Sequence, residues 1–311
     1  MSALRRKLLE WLPFLGLCHR IGHGAWAAVA RWGRSVCAAG RRLWCGTVEE
    51  ARIRRAARRP AADPAARPIV HLYAVCRNEE LLIPWLMDHY AGLVDRFWIY
   101  DNDSTDSTRA VLARYPQAEV VPFDTGGRFD DAANQRIKNT AWQASRGQAD
   151  FVIVCDMDEF LYHPHLAALL ATMKCQRYTV LKPRGYQMVG ERLPTFDGSC
   201  HLADVVTAGV PDFHNYSKAI LFDPNRVEIN YGPGAHRAQP TGEVKWFESR
   251  HVKLLHCKYV DRAEVLRKTR EYRDKFSAEN LAKGQGRHYR KSDAEALAEF
   301  DRMLAAGRKV I

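Results

Sequence analysis

From Ile69 onward the sequence switches back and forth between two apolar periodicities, and this alternation constrains the fold more than any other feature. "IVHLYAV" (69–75) is a continuous apolar run of strand length, and "NEELLIPWLMDHYAGL" (78–93) then puts Leu82, Trp85, Leu86, His89 and Leu93 on one helical face. "RFWIY" (96–100) reads as a second strand, 105–115 as a helix, "AEVVPF" (118–123) as a third strand, 131–146 as a helix and "DFVIVC" (150–155) as a fourth strand. Strands separated by helices are joined by crossovers, so an α/β fold is expected, with a mostly parallel central sheet and helices on its flanks.

In such a sheet a ligand binds outside the carboxyl ends of the strands, where loops and helix N-termini converge. Those ends read "CRNE", "DNDSTD", "DTGGRFDD" and "DMDE", the most polar places after Ile69. A helix cap needs one such side chain, not four loops of them on one rim. "DMDE" sets Asp156 and Asp158 one residue apart at a strand end. Two carboxylates so spaced can meet one divalent cation, and hard oxygen ligands suit Mg²⁺ or Mn²⁺, ions that complete their shell with substrate phosphates. A lone D-x-D also serves as a cap or a solvated pair, so its position on the rim is what gives it weight.

The formal net charge of +11 would suggest a polyanion partner if it were spread over the chain. It is not: residues 1–68 hold 14 Lys and Arg against 4 Asp and Glu, and the rest holds 33 against 32. A nearly neutral body behind "RIRRAARR", which lacks interleaved aromatics, argues against nucleic acid. In the basic arm, "LLEWLPFLGLC" is too short to span a bilayer and contains Glu10. "AWA" at 25–27 resembles a leader cleavage site, but His19, Arg20 and His23 stand in between. Leu4, Leu8, Trp11, Leu12 and Leu15 recur at helical spacing, as do Val29, Val36 and Leu43 beside four arginines. The arm suits either a basic amphipathic segment on an anionic membrane face or a solvated extension. Residues 51–68, rich in Ala, Arg and Pro, read as the linker that ends it. Eight cysteines without C-x-x-C spacing favour a reducing, cytoplasmic setting, peripheral to the membrane if the arm binds it.

"VCRNEELLIPWLMDHY", "WIYDNDSTDST" and "DFVIVCDMDEFL", in this order and separation, resemble the nucleotide-sugar half of a family 2 glycosyltransferase of the GT-A fold, and the N-E pair and D-E-F-L resemble its family 92-like branch. "KAILFDPNRV" and "HCKYVDRAEVLRKTREY" are similar to that branch more loosely. The resemblance implies a catalytic domain over 69–260, with a nucleotide-sugar half (69–165) and an acceptor half (166–260), between the arm (1–68) and C-terminal helices (261–311). It implies a metal-dependent, inverting hexosyl transfer from a nucleotide sugar, UDP-linked, to a glycan or lipid-linked acceptor, as in polysaccharide biosynthesis. The alternative is a non-catalytic nucleotide- or membrane-surface-binding module of the same fold.

Carried onto this chain, the resemblance assigns Cys76 and Glu79 to the nucleotide, Asp101 and Asn102 to the base or ribose, and Asp156 and Asp158 to Mn²⁺ or Mg²⁺ on the diphosphate. Family 2 sequences more typically have two acids where this chain reads Asp101-Asn102; an Asn amide still both donates and accepts. Asp106 is expected to cap the following helix, and Gln135 and Asn139, four apart on one helix, could face the same pocket. The acceptor base is expected from the second half, with Asp204, Glu191 and Asp212 as candidates and Asp212, in "GVPDFHNYSK", favoured. Lys218 could meet a phosphate, His256 or His236 could add a metal or phosphate ligand, and Lys268 and Arg270 could approach the diphosphate from the first of two tail helices, which Gly284 and Gly286 end.

Overall fold

The computed structural model describes residues 48–58, 67–128, 130–275 and 291–311. The chain divides into two units, 1–49 and 50–311, and the sheet with its flanking helices belongs to the second. Most of the expected arm, with its amphipathic stripes, lies outside the described residues, as do Gly284 and Gly286. The described part of the expected linker differs from the expectation. Residues 51–57 are helical, since Ala and Arg are strong helix formers, and Ile53 is fully buried. Glu50 lies 3.3 Å from His163 Nε2, and Arg52 donates to Gln176 at 2.9 Å.

Four parallel strands form the centre: β1 (Val70–Cys76), β2 (Arg96–Asp101), β3 (Ala118–Pro122) and β4 (Phe151–Asp156), in the order β3-β2-β1-β4. Their helices are α1 (Ile83–His89), α2 (Thr108–Leu112) and α3 (Asp131–Thr140). α1 is shorter than its apolar face suggested, because a proline at its start fixes where the helix begins. α3 stops at Thr140, and the expected run to 146 continues as a 3₁₀ turn, Ala141–Ser145.

After β4 come β5 (Glu159–Tyr162), α4 (Leu166–Cys175), β6 (Val180–Val189), α5 (Leu202–Val205), β7 (Ala208–Pro211) and β8 (Leu221–Phe222). β9 (Val227–Tyr231) and β10 (Ala238–Gly242) make a small separate sheet, and β11 (Trp246–Tyr259), α6 (Arg262–Lys275), α7 (Asp293–Ala306) and β12 (Arg308–Lys309) complete the unit. β8, β6, β7 and β12 extend the sheet beyond β4 by antiparallel pairing. β11 pairs with β6 in parallel and with β5 antiparallel. The two tail helices are present and pack through Val265 and Phe300 against Val189 and Tyr259. Among the described residues no helix is long and apolar enough to cross a membrane.

The strand order fixes where a ligand goes. The chain steps outward through β2 and β3, then returns to place β4 on the other side of β1, so a topological switch falls between β1 and β4. At such a switch the connections leave in opposite directions and open a crevice at the carboxyl ends. The registers align those ends: Val75 stands opposite Asp156 and Cys76 opposite Asp101.

Candidate active site

A cavity of about 310 Å³ occupies that crevice. Cys76 and Glu79 from the end of β1, Asn102 from the end of β2, and Asp156 and Asp158 from the end of β4 line it, as do Gln135, Lys218 and His256. Residues far apart in the sequence are thereby brought together. Asp101 and Asn139 are not in the lining, and Asp212 lines an adjoining cavity of about 370 Å³.

Most of the polarity of "DNDSTD" is used within the rim. The buried Asp101 carboxylate is taken by Ser104 and the Arg109 guanidinium. Asp106 was expected to cap α2; the N-cap is Ser107, and Asp106, one residue before it, accepts from the Thr108 N–H at 2.9 Å and from the Glu80 N–H. Asn78, held at φ 50°, accepts from the Thr105 N–H at 2.7 Å, which knits the loops after β1 and β2 together. Asn102 is the member of the stretch that faces the cavity. Thr125 donates to the Asn102 amide oxygen at 2.9 Å.

On the floor, Asp156 Oδ1 lies 2.6 Å from Lys138 Nζ and its Oδ2 3.6 Å from Lys218 Nζ. Burial alone would raise this carboxyl, but the two lysines hold it below its ordinary value. Asp158 turns the other way, its Oδ2 3.1 Å from His256 Nε2. Desolvation opposes its charge, yet His256, Lys268 and Lys218 hold this carboxyl far below the usual range. His256 is brought there by pairing: on β11 it stands opposite Glu159 of β5 and Gln187 of β6. Its Nδ1 lies 2.6 Å from Gln187 Oε1, so oxygen atoms flank both ring nitrogens.

The roof is ionic. Glu79 is gripped by Lys268 of α6, with Nζ 2.6 Å from each carboxylate oxygen. Burial pushes Glu79 up to about 7 against the pull of that ammonium. Burial would lower Lys268, but Glu79 and Asp158 outweigh it and keep the ammonium above the ordinary lysine range. Lys218 behaves alike, raised by Glu159 and Asp156 against its own desolvation. Arg270, also expected near the diphosphate, pairs instead with Asp293 at 2.6 Å.

Of the face that α3 turns to the cavity, sequence reasoning picked out Gln135 and missed Asp131, Asn134 and Lys138. Asp131, Asn134, Gln135 and Lys138 all line it, and their i, i+3, i+4, i+7 spacing was the available signal. The Asn134 Oδ1 is buried without a hydrogen-bond partner. Gln135 and Asn139 both donate to the Tyr231 carbonyl, at 2.7 and 3.1 Å, and Asn139 accepts the Tyr231 N–H at 2.7 Å. Asn139 therefore fastens β9 to α3.

Of the three acids weighed as base, Asp212 is the one that lines the adjoining cavity. Its carboxylate accepts from Asn215, and the Tyr216 N–H reaches its carbonyl at 3.0 Å. This turn lies so close to β6 that a Cβ on Gly185 would fall on the Tyr216 backbone. Asp204 caps α5 through the His201 N–H at 2.9 Å; Glu191 is in neither lining. His236 borders both cavities, its Nδ1–H donating to the Asn215 carbonyl at 2.8 Å. Among the described residues no three His, Cys, Asp or Glu side chains cluster as a self-sufficient metal site.

A mostly parallel α/β sheet with a polar crevice at its β1/β4 switch is the architecture of the GT-A glycosyltransferases. The model of glycosyl transferase family 2 matches residues 75–261, more than half of the chain. The chain belongs to that family, and it is a glycosyltransferase. Among solved structures it is similar to S. aureus TarS, residues 1–349, at 12% identity over 75% of this chain and 70% of that one, with a TM-score of 0.39. It is also similar to M. tuberculosis glucosyl-3-phosphoglycerate synthase in complex with Mn²⁺, UDP and glucosyl-3-phosphoglycerate, at 21% identity over 42% of this chain and 50% of that one, with a TM-score of 0.26. No curated protein gave a significant match.

Proposed function

We propose that the enzyme is a metal-dependent, inverting hexosyltransferase that takes a UDP-linked sugar in the β1/β4 cavity and passes it to a glycan or lipid-linked acceptor in the adjoining one. The observation that carries the metal requirement is the charge of the lining. Asp131, Asp156 and Asp158 line the cavity together, so carboxylates stand where a doubly ionised diphosphate is to lie. An added cation reconciles the two.

The donor set fits one on the Asp158 side. Neighbouring ligands on bonds of about 2.1 Å stand roughly 3 Å apart, and Asp158 Oδ2 and His256 Nε2 are separated by 3.1 Å. With Nδ1–H donating to Gln187, the His256 tautomer leaves the Nε2 lone pair for the ion, the usual anchoring of a ligating histidine. Asp156, one residue along the D-x-D, belongs to the same floor. Mn²⁺ or Mg²⁺ held there would disperse the charge gathering on the leaving diphosphate.

The remaining roles fall to side chains of this chain. Asn102 offers its free amide half to a uracil edge, with Asp101 fixing the loop behind it, and Cys76 and Glu79 border the nucleoside. Gln135 and Asn139 hold the β9 wall. Asp212 removes the proton of the acceptor hydroxyl as that oxygen attacks the anomeric carbon opposite the departing diphosphate, a single displacement with inversion. The arm over 1–68, with its excess of basic residues, accounts for attachment to an anionic cytoplasmic membrane face. Hydrolysis assays with a panel of nucleotide sugars test the reading: a UDP-sugar is expected to turn over with Mn²⁺ and to stop in EDTA, and NMR of the product anomer reports the stereochemistry. Turnover undiminished by EDTA would remove the metal from the proposal.

A further inference from the structure

The two carboxylates of the D-x-D have unlike surroundings. Asp158 meets the imidazole of His256 at 3.1 Å. Asp156 meets two ammonium groups, one on each oxygen: Lys138 at 2.6 Å and Lys218 at 3.6 Å. Lys218 also lies 2.5 Å from Glu159 Oε1, and Glu159 Oε2 accepts the Asp156 N–H at 3.2 Å. Lys138, Lys218 and Glu159 are buried, so the four side chains form an alternating chain, Lys138, Asp156, Lys218, Glu159, along the cavity floor.

Such a chain suits the binding of a phosphate better than the binding of an ion. A divalent cation on Asp156 would stand within about 4 Å of an ammonium already bonded to the same oxygen, and a site sheltered from water strengthens that repulsion. Each lysine carries three N–H donors. Asp156 engages one on Lys138, and both lysines line the cavity. A pair of ammonium groups held rigid before the substrate arrives stabilises charge as it develops, without reorganising. Glu159, the residue after the D-x-D, fixes Lys218.

We propose that Lys138 and Lys218 are a preset ammonium pair that grips the donor diphosphate, that Asp156 and Glu159 are positioning residues for them, and that the cation belongs to Asp158 and His256 alone. This rests on the reading of the cavity as a UDP-sugar site. The D-x-D is thereby divided into a metal half and a lysine half. Metal and lysines then act on the same leaving group from two sides.

Calorimetry with UDP, in EDTA and in Mn²⁺, together with the Mn²⁺ spin-resonance signal, separates the halves. Wild-type protein should bind UDP in EDTA and more tightly in Mn²⁺. Lys138→Met should weaken UDP about tenfold in both conditions, as the loss of a charge-assisted contact does, and leave uridine binding, followed by NMR titration, unchanged. Lys138→Arg should retain UDP, and Lys138→Gln repeats the charge loss in a second variant should the methionine disturb folding. Asp158→Asn should abolish UDP-dependent Mn²⁺ binding and keep the EDTA affinity. Asp156→Asn should do the reverse, keeping the Mn²⁺ signal and losing affinity in EDTA. Unchanged UDP affinity in Lys138→Met and Lys138→Gln, or loss of Mn²⁺ in Asp156→Asn, would overturn the inference while UDP binding by the wild type still stood. Wild-type protein that bound UDP in neither condition would overturn the donor reading and this inference with it.

Discussion

Adjacent residues at the end of β2 carry different loads. Asp101 is fully buried and answers Arg109 and Ser104, whereas Asn102 looks into the cavity. Asp101→Ala is therefore expected to lower stability in chemical unfolding by the roughly 1–3 kcal/mol that an abandoned polar partner costs, with a smaller loss of donor affinity than Asn102→Ala. Asn102→Ala should weaken UDP by a similar amount in calorimetry with melting unchanged. Asp158 supplies a pH signature. Its carboxyl is depressed in the folded state despite desolvation, because His256, Lys268 and Lys218 surround it. A depressed acid contributes stability that is fully present above its unfolded value, about 3.9, and is lost as pH falls below it. Urea midpoints taken between about pH 5 and pH 3 should fall more steeply for wild type than for Asp158→Asn. Parallel slopes would mean that the carboxylate is not held by those cations.

Among the elements, α6 does for the loop after β1 what a strand neighbour does elsewhere: it holds the loop in place. Glu271 meets Arg77 at 3.0 Å and also accepts from Asn78, Arg267 donates to the Asn78 carbonyl at 2.7 Å, and Lys268 takes both oxygens of Glu79. Lys268→Ala would leave a buried carboxylate unpaired, so a loss of about 3–5 kcal/mol is expected in chemical unfolding. Joint replacement by Lys268→Met and Glu79→Leu should restore much of it, since two apolar side chains leave no stranded charge. These elements also mark how far the sequence could be read. The strands and the rim were legible because buried parallel strands are continuous apolar runs that must end in polar loops. Asp156 and Asp158 follow from that rule by position, whereas Glu79 and Asn102 were singled out by the family resemblance. Lys138 shared a helical spacing with Gln135, but its pairing with Asp156 was not legible, because a lysine on a polar helix face reads as solvated until β4 is laid beside it. Nor was the pairing of Lys268 with Glu79, 189 residues apart in sequence, or the burial of Ile53 in a stretch whose composition resembles a linker.

At the scale of the molecule, the packing of Ile53 moves the boundary of the folded body upstream of Ile69. A chain starting at residue 48 is expected to keep its melting temperature and bind UDP. One starting at residue 66 should lose about 2 kcal/mol or more with the removal of that buried side chain. Residues 1–47 hold eight Lys and Arg against one Glu, with each basic group near an anionic surface worth about 1 kcal/mol. Full-length protein should co-sediment with anionic vesicles at low salt and release at high salt, while the chain from 48 stays in the supernatant; equal pelleting of the two would assign the attachment to the body. The sheet topology also bears on synthesis. β5 and one whole side of β6 find their partner only in β11, and the roof of the cavity comes later still, with α6. A nascent chain that has not yet delivered Trp246–Tyr259 presents an open strand edge, the kind of surface chaperones cover, and long-range pairing of this sort is slow. His256 and Lys268 arrive on those last segments, so ribosome-bound chains should be inert toward donor until the C-terminal fifth has emerged.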